Sequence, residues 1–161
     1  MSESAAAPVS AGPAEEHAHA VARLRRSSLA QLLLLVVQTG LGMAVNLYVS
    51  LPDADQGKGL TASFGDAVAK GPVGVAVHAI FGLLVFINAC VLVVFALTVR
   101  ATAAKVCSVV GWLCIAGAAT SGAAFVNANQ DSGNAASLTM ALLTLVAVAC
   151  YAVNLFVLGD E

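Results

Sequence analysis

From Val73 to Val99 the chain reads VGVAVHAIFGLLVFINACVLVVFALTV. The stretch contains no Asp, Glu, Lys or Arg and does not alternate apolar with polar positions. It exceeds the roughly 20 apolar residues that cross a bilayer's hydrocarbon core. Backbone N–H and C=O groups in hydrocarbon must be satisfied inside the protein, so only helices or a closed barrel can span. A continuous apolar run without period-two patterning excludes the barrel and predicts a helix.

Three more runs of the same kind flank it: 29–51 on the N-terminal side, then about 106–126 and 136–158. The rest of the composition agrees. Of 161 residues, 60% are hydrophobic and 10% charged, with a mean hydropathy of +0.91. Soluble domains carry about 25% charged residues, and a domain this small cannot bury so much apolar surface. The predicted fold class is all-α: a membrane four-helix bundle, up-down-up-down. Residues 1–28 are expected to form a disordered cytoplasmic tail and 159–161 a cytoplasmic C-terminus.

Arg23, Arg25 and Arg26 precede the first run as a basic flank precedes a signal sequence. That run is longer than a signal's apolar core and ends in Asn46-Leu47-Tyr48-Val49 rather than small residues, so an uncleaved span is expected. Arg23, Arg25, Arg26, Arg100 and Lys105 fall on one side of the bilayer, Lys58 and Lys70 on the other. This excess places both termini in the cytoplasm, in a cell membrane crossed several times. In the long outer connection, Leu60, Phe64, Ala67 and Val68 recur at helical spacing, and Asp66 pairs with Lys70 four residues on. A short outer interfacial helix is predicted there, between the first and second spans.

Helices in lipid associate by close packing and a few polar contacts. Cys107, Gly111, Cys114, Ala118 and Gly122 form a small-residue stripe on the third span. Met140, Thr144, Ala147, Tyr151 and Asn154 share a face of the fourth, and Thr39, Gly42, Met43 and Asn46 a face of the first. These faces are expected to meet. The four cysteines, Cys90, Cys107, Cys114 and Cys150, show no CxxC spacing and read as small hydrophobes.

Polar groups inside spans are the candidates for function. His78 is the one histidine in any span; His17 and His19 lie in the expected tail. Asn46, Tyr48, Asn127, Asp131 and Met140 fall at similar depth, so an outward-facing polar pocket around His78 is expected, able to bind a ligand or partner. The alternative is that His78 and Asn46 bond one another as interhelical glue, as Gln38, Asn88 and Asn154 would. Haem b would need a second axial ligand, Met43 or Met140, or a second His78 across a homodimer. No carboxylate, vicinal thiol pair or Ser–His–Asp arrangement lies within the spans, which disfavours an enzyme. The net charge of -2, without a basic domain face, gives no sign of nucleic acid, and none is expected as a partner.

The segments Asn46-Leu47-Tyr48-Val49-Ser50-Leu51-Pro52, Val77-His78-Ala79-Ile80-Phe81-Gly82-Leu83-Leu84 and Ala124-Phe125-Val126-Asn127, with Asp131 and Ser137-Leu138-Thr139-Met140-Ala141 after them, carry a resemblance. Over roughly residues 29–158 the chain resembles small four-span integral membrane proteins of high-GC Gram-positive bacteria. The resemblance implies four spans in a bacterial inner membrane and brings no activity with it. The spacing of His78 and Gly82 is also similar to that in four-helix haem-handling membrane proteins. Two functions are therefore carried forward. One is a non-enzymatic accessory or binding protein among membrane lipids, as a homo-oligomer or in a larger complex. The other is a redox protein holding haem or quinone at His78.

Overall fold

The computed structural model describes residues 12–49, 59–127 and 130–159 and is helical throughout its regular structure. Its helices are α1 (Pro13–Tyr48), α2 (Leu60–Ala69), α3 (Val73–Thr98), α4 (Thr102–Asn127) and α5 (Gln130–Val157). α1, α3, α4 and α5 are each long and apolar enough to cross a membrane.

The first helix corrects the expected tail. α1 has 36 residues and begins at Pro13, so residues 13–28 are helical rather than disordered. The local reasons are clear. Pro13 occupies the first turn, where its missing N–H is harmless. Glu15 and Glu16 sit in that turn against the positive end of the helix dipole. The segment that follows is rich in Ala, Arg and Leu, all good helix formers. At 1.5 Å per residue α1 is about 54 Å long, well beyond a hydrocarbon core of about 30 Å. Its first turns therefore protrude. Residues 1–11 lie outside the described residues.

α2 forms where its helical spacing predicted, with the Asp66–Lys70 ion pair closed at 2.9 Å. It ends as the Lys70 and Gly71 N–H groups both bond to the Asp66 carbonyl, and Pro72 then caps α3. The helix packs on α3 and α4.

Contacts between helices set the register. On α1 and α3, Gln31 meets Val85 while Gln38 meets His78, so this pair runs antiparallel. On α4 and α5, Gly111 faces Tyr151, Gly117 faces Leu143 and Gly122 faces Met140, again antiparallel. Arg25 and Leu29 of α1 border the same groove as Leu155 and Leu158 after α5's last turns. The bundle thus has a terminal end, with Pro13 and Gly159, and a distal end, with α2.

Core positions recur three and four residues apart: Leu24, Ser28, Gln31 and Leu35 on α1; Val85, Ala89, Leu92 and Ala96 on α3; Ala147, Tyr151 and Asn154 on α5, with Leu158 just after it. This spacing is that of a seam between packed helices. The exterior is greasy, with Leu33, Val36, Leu47, Val94, Leu97, Leu145 and Phe156 all exposed. A soluble fold would not leave so continuous an apolar surface uncovered; hydrocarbon solvates it.

The faces expected on α4 and α5 pack as read from their spacing. Gly111 shows why: a Cβ there would come within 2.7 Å of the Tyr151 ring, so only glycine lets the two helices approach this closely. The face expected on α1 is displaced. Thr39, Met43 and Asn46 are exposed; Gly42 of that face does turn inward, against His78, but the seam continues from it through Gln38, Leu35 and Gln31. Two long amides need partners once removed from water, and that need turns α1 until they face α3. All four cysteines are free thiols.

Candidate functional site

His78 lies in the second turn of α3, half-buried against α1. Two glycines make room for it. A Cβ on Gly42 would sit 3.0 Å from the imidazole Cε1, and one on Gly82 would sit 3.0 Å from the Gln38 amide nitrogen. The Gln38 Nε2 donates to the His78 carbonyl at 3.2 Å and lies 3.2 Å from the imidazole Nε2. An amide nitrogen only donates, so with this amide orientation Nε2 of the ring accepts, and a neutral ring then carries its proton on Nδ1. The opposite orientation would set the amide oxygen against the His78 carbonyl, which disfavours it.

This arrangement leaves a matched pair of open groups. His78 Nδ1 is a buried donor and Gln38 Oε1 a buried acceptor, and neither has a hydrogen-bond partner. A buried polar atom without a partner costs roughly 1–3 kcal/mol. Such an expense on two residues in contact is relieved when a molecule supplies an acceptor to the one and a donor to the other.

The expected companions of His78 are placed differently. Asn46 is exposed, Tyr48 is 84% exposed and Met43 is 61% exposed, on the outward side of α1. Met140 packs with its sulfur toward Gly122, within the α4–α5 pair. Asn127 closes α4 and Asp131 stands in the first turn of α5, inside the helix rather than at its cap. The side chains of both lie outside the described residues, as do Lys58 and Asn129. Thr39, Thr139 and Thr144 each donate to the carbonyl four residues back, so their hydroxyls serve their own helices. The partner of His78 is Gln38, not Asn46.

The donor set bears on the two ligands considered for His78. Axial ligation of haem iron needs a free ring-nitrogen lone pair and a second ligand opposite. Here the Nε2 lone pair is engaged by Gln38, and the ring packs on α1 while Met140 faces α4. Neither Met43 nor Met140 stands opposite the ring as a second axial ligand within this chain. A carbonyl-bearing ring such as a quinone needs a donor, and Nδ1–H is one. Among the described residues no group of three His, Cys, Asp or Glu could hold a metal ion.

A second polar region is larger and lies toward the terminal end. Gln31 is completely buried and donates to the Val85 carbonyl at 3.1 Å, while its oxygen accepts from Asn88 at 2.6 Å. Across the bundle, Asn154 donates to Ser108 at 2.9 Å, both also completely buried. Ser28 Oγ, Tyr151 Oη and Asn154 Oδ1 are buried without partners. Gln31 is the residue that sequence reasoning passed over. It stands seven residues before Gln38, two turns along the same face, and that repeat was the available signal.

No protein-family model matches this sequence, and neither a curated protein nor a solved structure matches it.

Proposed function

We propose that this small multi-pass membrane protein is a non-enzymatic accessory or binding protein, and that it receives its ligand or partner at the Gln38–His78 pair. The observation that carries this reading is that His78 Nδ1 and Gln38 Oε1, on two residues in contact, are both buried without a partner. A group such as an amide or a carboxylic acid answers both atoms at once. In this reading the four spans run up-down-up-down in a cell membrane, with the terminal end and its arginines in the cytoplasm. α2 lies at the outer interface, over the end of the bundle nearest His78. The charge bias of the connections supports that orientation, and the apolar side of α2, with Ala67 buried and Lys70 exposed, supports its interfacial position.

The test is affinity purification in mild detergent of wild type and the His78→Ala and Gln38→Ala variants. A partner or small molecule that accompanies the wild type and is lost from both variants is the expected result. Retention by both variants removes the Gln38–His78 pair from the reading.

A second reading is favoured by the protonated Nδ1: a redox role in which that N–H bonds a quinone carbonyl. Quinone affinity in reconstituted protein that falls on His78→Ala but not on Asn46→Ala would select it. Equal affinity in all three proteins removes it. A visible spectrum without a Soret band, with and without added haemin, is expected in either case.

A further inference from the structure

The terminal end carries a groove of about 840 Å³ between the protruding turns of α1 and the end of α5. Arg25 and Arg26 border it together with Leu29, Leu155 and Leu158. Arg25 reaches across toward the end of α5, its guanidinium about 4.0 Å from where a Cβ on Gly159 would lie. Arg23, Arg25 and Arg26 are all exposed. Arg100 and Lys105 flank the α3–α4 turn at the same end, so positive charge rings it.

The groove is polarised along the helix axis. Leu29, 51% exposed, begins the apolar run of α1 and belongs to the hydrocarbon. One turn nearer the terminus, Arg25 and Arg26 reach the level of lipid headgroups. Guanidinium forks match the paired oxygens of a phosphate, and arginines near a membrane surface attract anionic headgroups. Leu29 and Leu155 form an apolar wall on one side of Arg25 and Arg26, while Ala14, Ala18, Val21 and Ala22 carry the groove on beyond them; a phosphate at the arginines with an acyl chain on the leucine side fits this order. We infer that this groove binds one anionic phospholipid, its phosphate held by Arg25 and Arg26 and an acyl chain lying along Leu29 and Leu155. Charge complementarity selects an anionic lipid over a zwitterionic one. Asp160 and Glu161 follow Gly159 in the chain and are the competing anions.

The experiment uses the full chain reconstituted in an equimolar mixture of phosphatidylglycerol and phosphatidylcholine. The protein is then released in mild detergent and its retained lipid is counted by native mass spectrometry. Wild type is expected to keep phosphatidylglycerol in preference. The Arg25→Gln/Arg26→Gln variant is expected to lose it by about thirty-fold, from about 1 kcal/mol per arginine near a surface. Both arginines are exposed, so the variant folds. Equal phosphatidylglycerol on variant and wild type overturns the inference, as does equal retention of the two lipids by wild type. So does enrichment that arises only in Asp160→Asn/Glu161→Gln, which would mean that the chain's own end fills the site.

Discussion

The two ends of this bundle are built on different principles. Side chains under 3% exposed run from the terminal end to just past mid-bundle, at Leu35 on α1 and Val85 on α3. There all four long helices contribute to one core, and the polar groups inside it bond from helix to helix. Beyond that level α1 keeps α3 but shows its remaining faces outward, with Met43, Leu47 and Tyr48 exposed. The closed half holds its helices with Gln31, Asn88, Asn154 and Ser108, although Ser28 Oγ, Tyr151 Oη and Asn154 Oδ1 stay unpartnered inside it. The open half leaves His78 and Gln38 with unmet bonds. The halves differ in surroundings: the unpartnered atoms of the open half lie on a helix pair whose other faces are exposed, those of the closed half inside a core of four helices.

The contrast can be broken by substitution, read as unfolding free energy in detergent. The largest effect is expected from Gly111→Ala, whose new Cβ meets the Tyr151 ring at 2.7 Å; overpacking of this kind costs about 1–3 kcal/mol. The matched control is Gly40→Ala on the open half of α1, where nothing lies within 4 Å. It should be neutral or slightly stabilising through helix propensity, by less than about 1 kcal/mol. If the two glycines respond alike, the closed and open halves are not distinct.

Next in size is Gln31→Ala. It removes two interhelical bonds, leaves the Asn88 amide only its 3.4 Å bond to the Ser27 carbonyl and opens a cavity, for roughly 2 kcal/mol. Gln38→Ala at the half-buried site should cost about 0.6 kcal/mol, the average for an interhelical polar contact in membranes. Equal losses would put Gln38 in the structural class with Gln31 and weaken the binding role of its partner His78. A third comparison sharpens the picture further. Asn154→Ala is expected to cost about 1 kcal/mol through the lost Ser108 bond, whereas Asn46→Leu, at an exposed position, should stay within about 0.5 kcal/mol of wild type.

Much of this was legible from residues alone. Val73–Val99 announced a span, and the small-residue stripe through Gly111 and Gly122 announced the face that α5 would meet. His78 stood out because histidine in hydrocarbon is costly. The α1 face emerged only at Gly42, because Thr39, Met43 and Asn46 satisfy the same helical period as Gln31, Leu35, Gln38 and Gly42, displaced by one position. Periodicity cannot choose between neighbouring faces when both mix small, polar and apolar residues. The helix from Pro13 to Ser28 was hidden for another reason: it has no continuous apolar run, and its order comes from propensity and from Leu24 and Ser28 packing at the terminal end.

Sequence by itself determined the solvent of this protein and the number of long helices, since apolar length against bilayer thickness is a one-dimensional comparison. Tertiary structure decided which polar groups are spent and which are left over. Whether Gln38 rather than Asn46 reaches His78 depends on how α1 is rotated about its axis. That rotation is fixed only when buried amides on two helices, far apart in the chain, find each other's carbonyls.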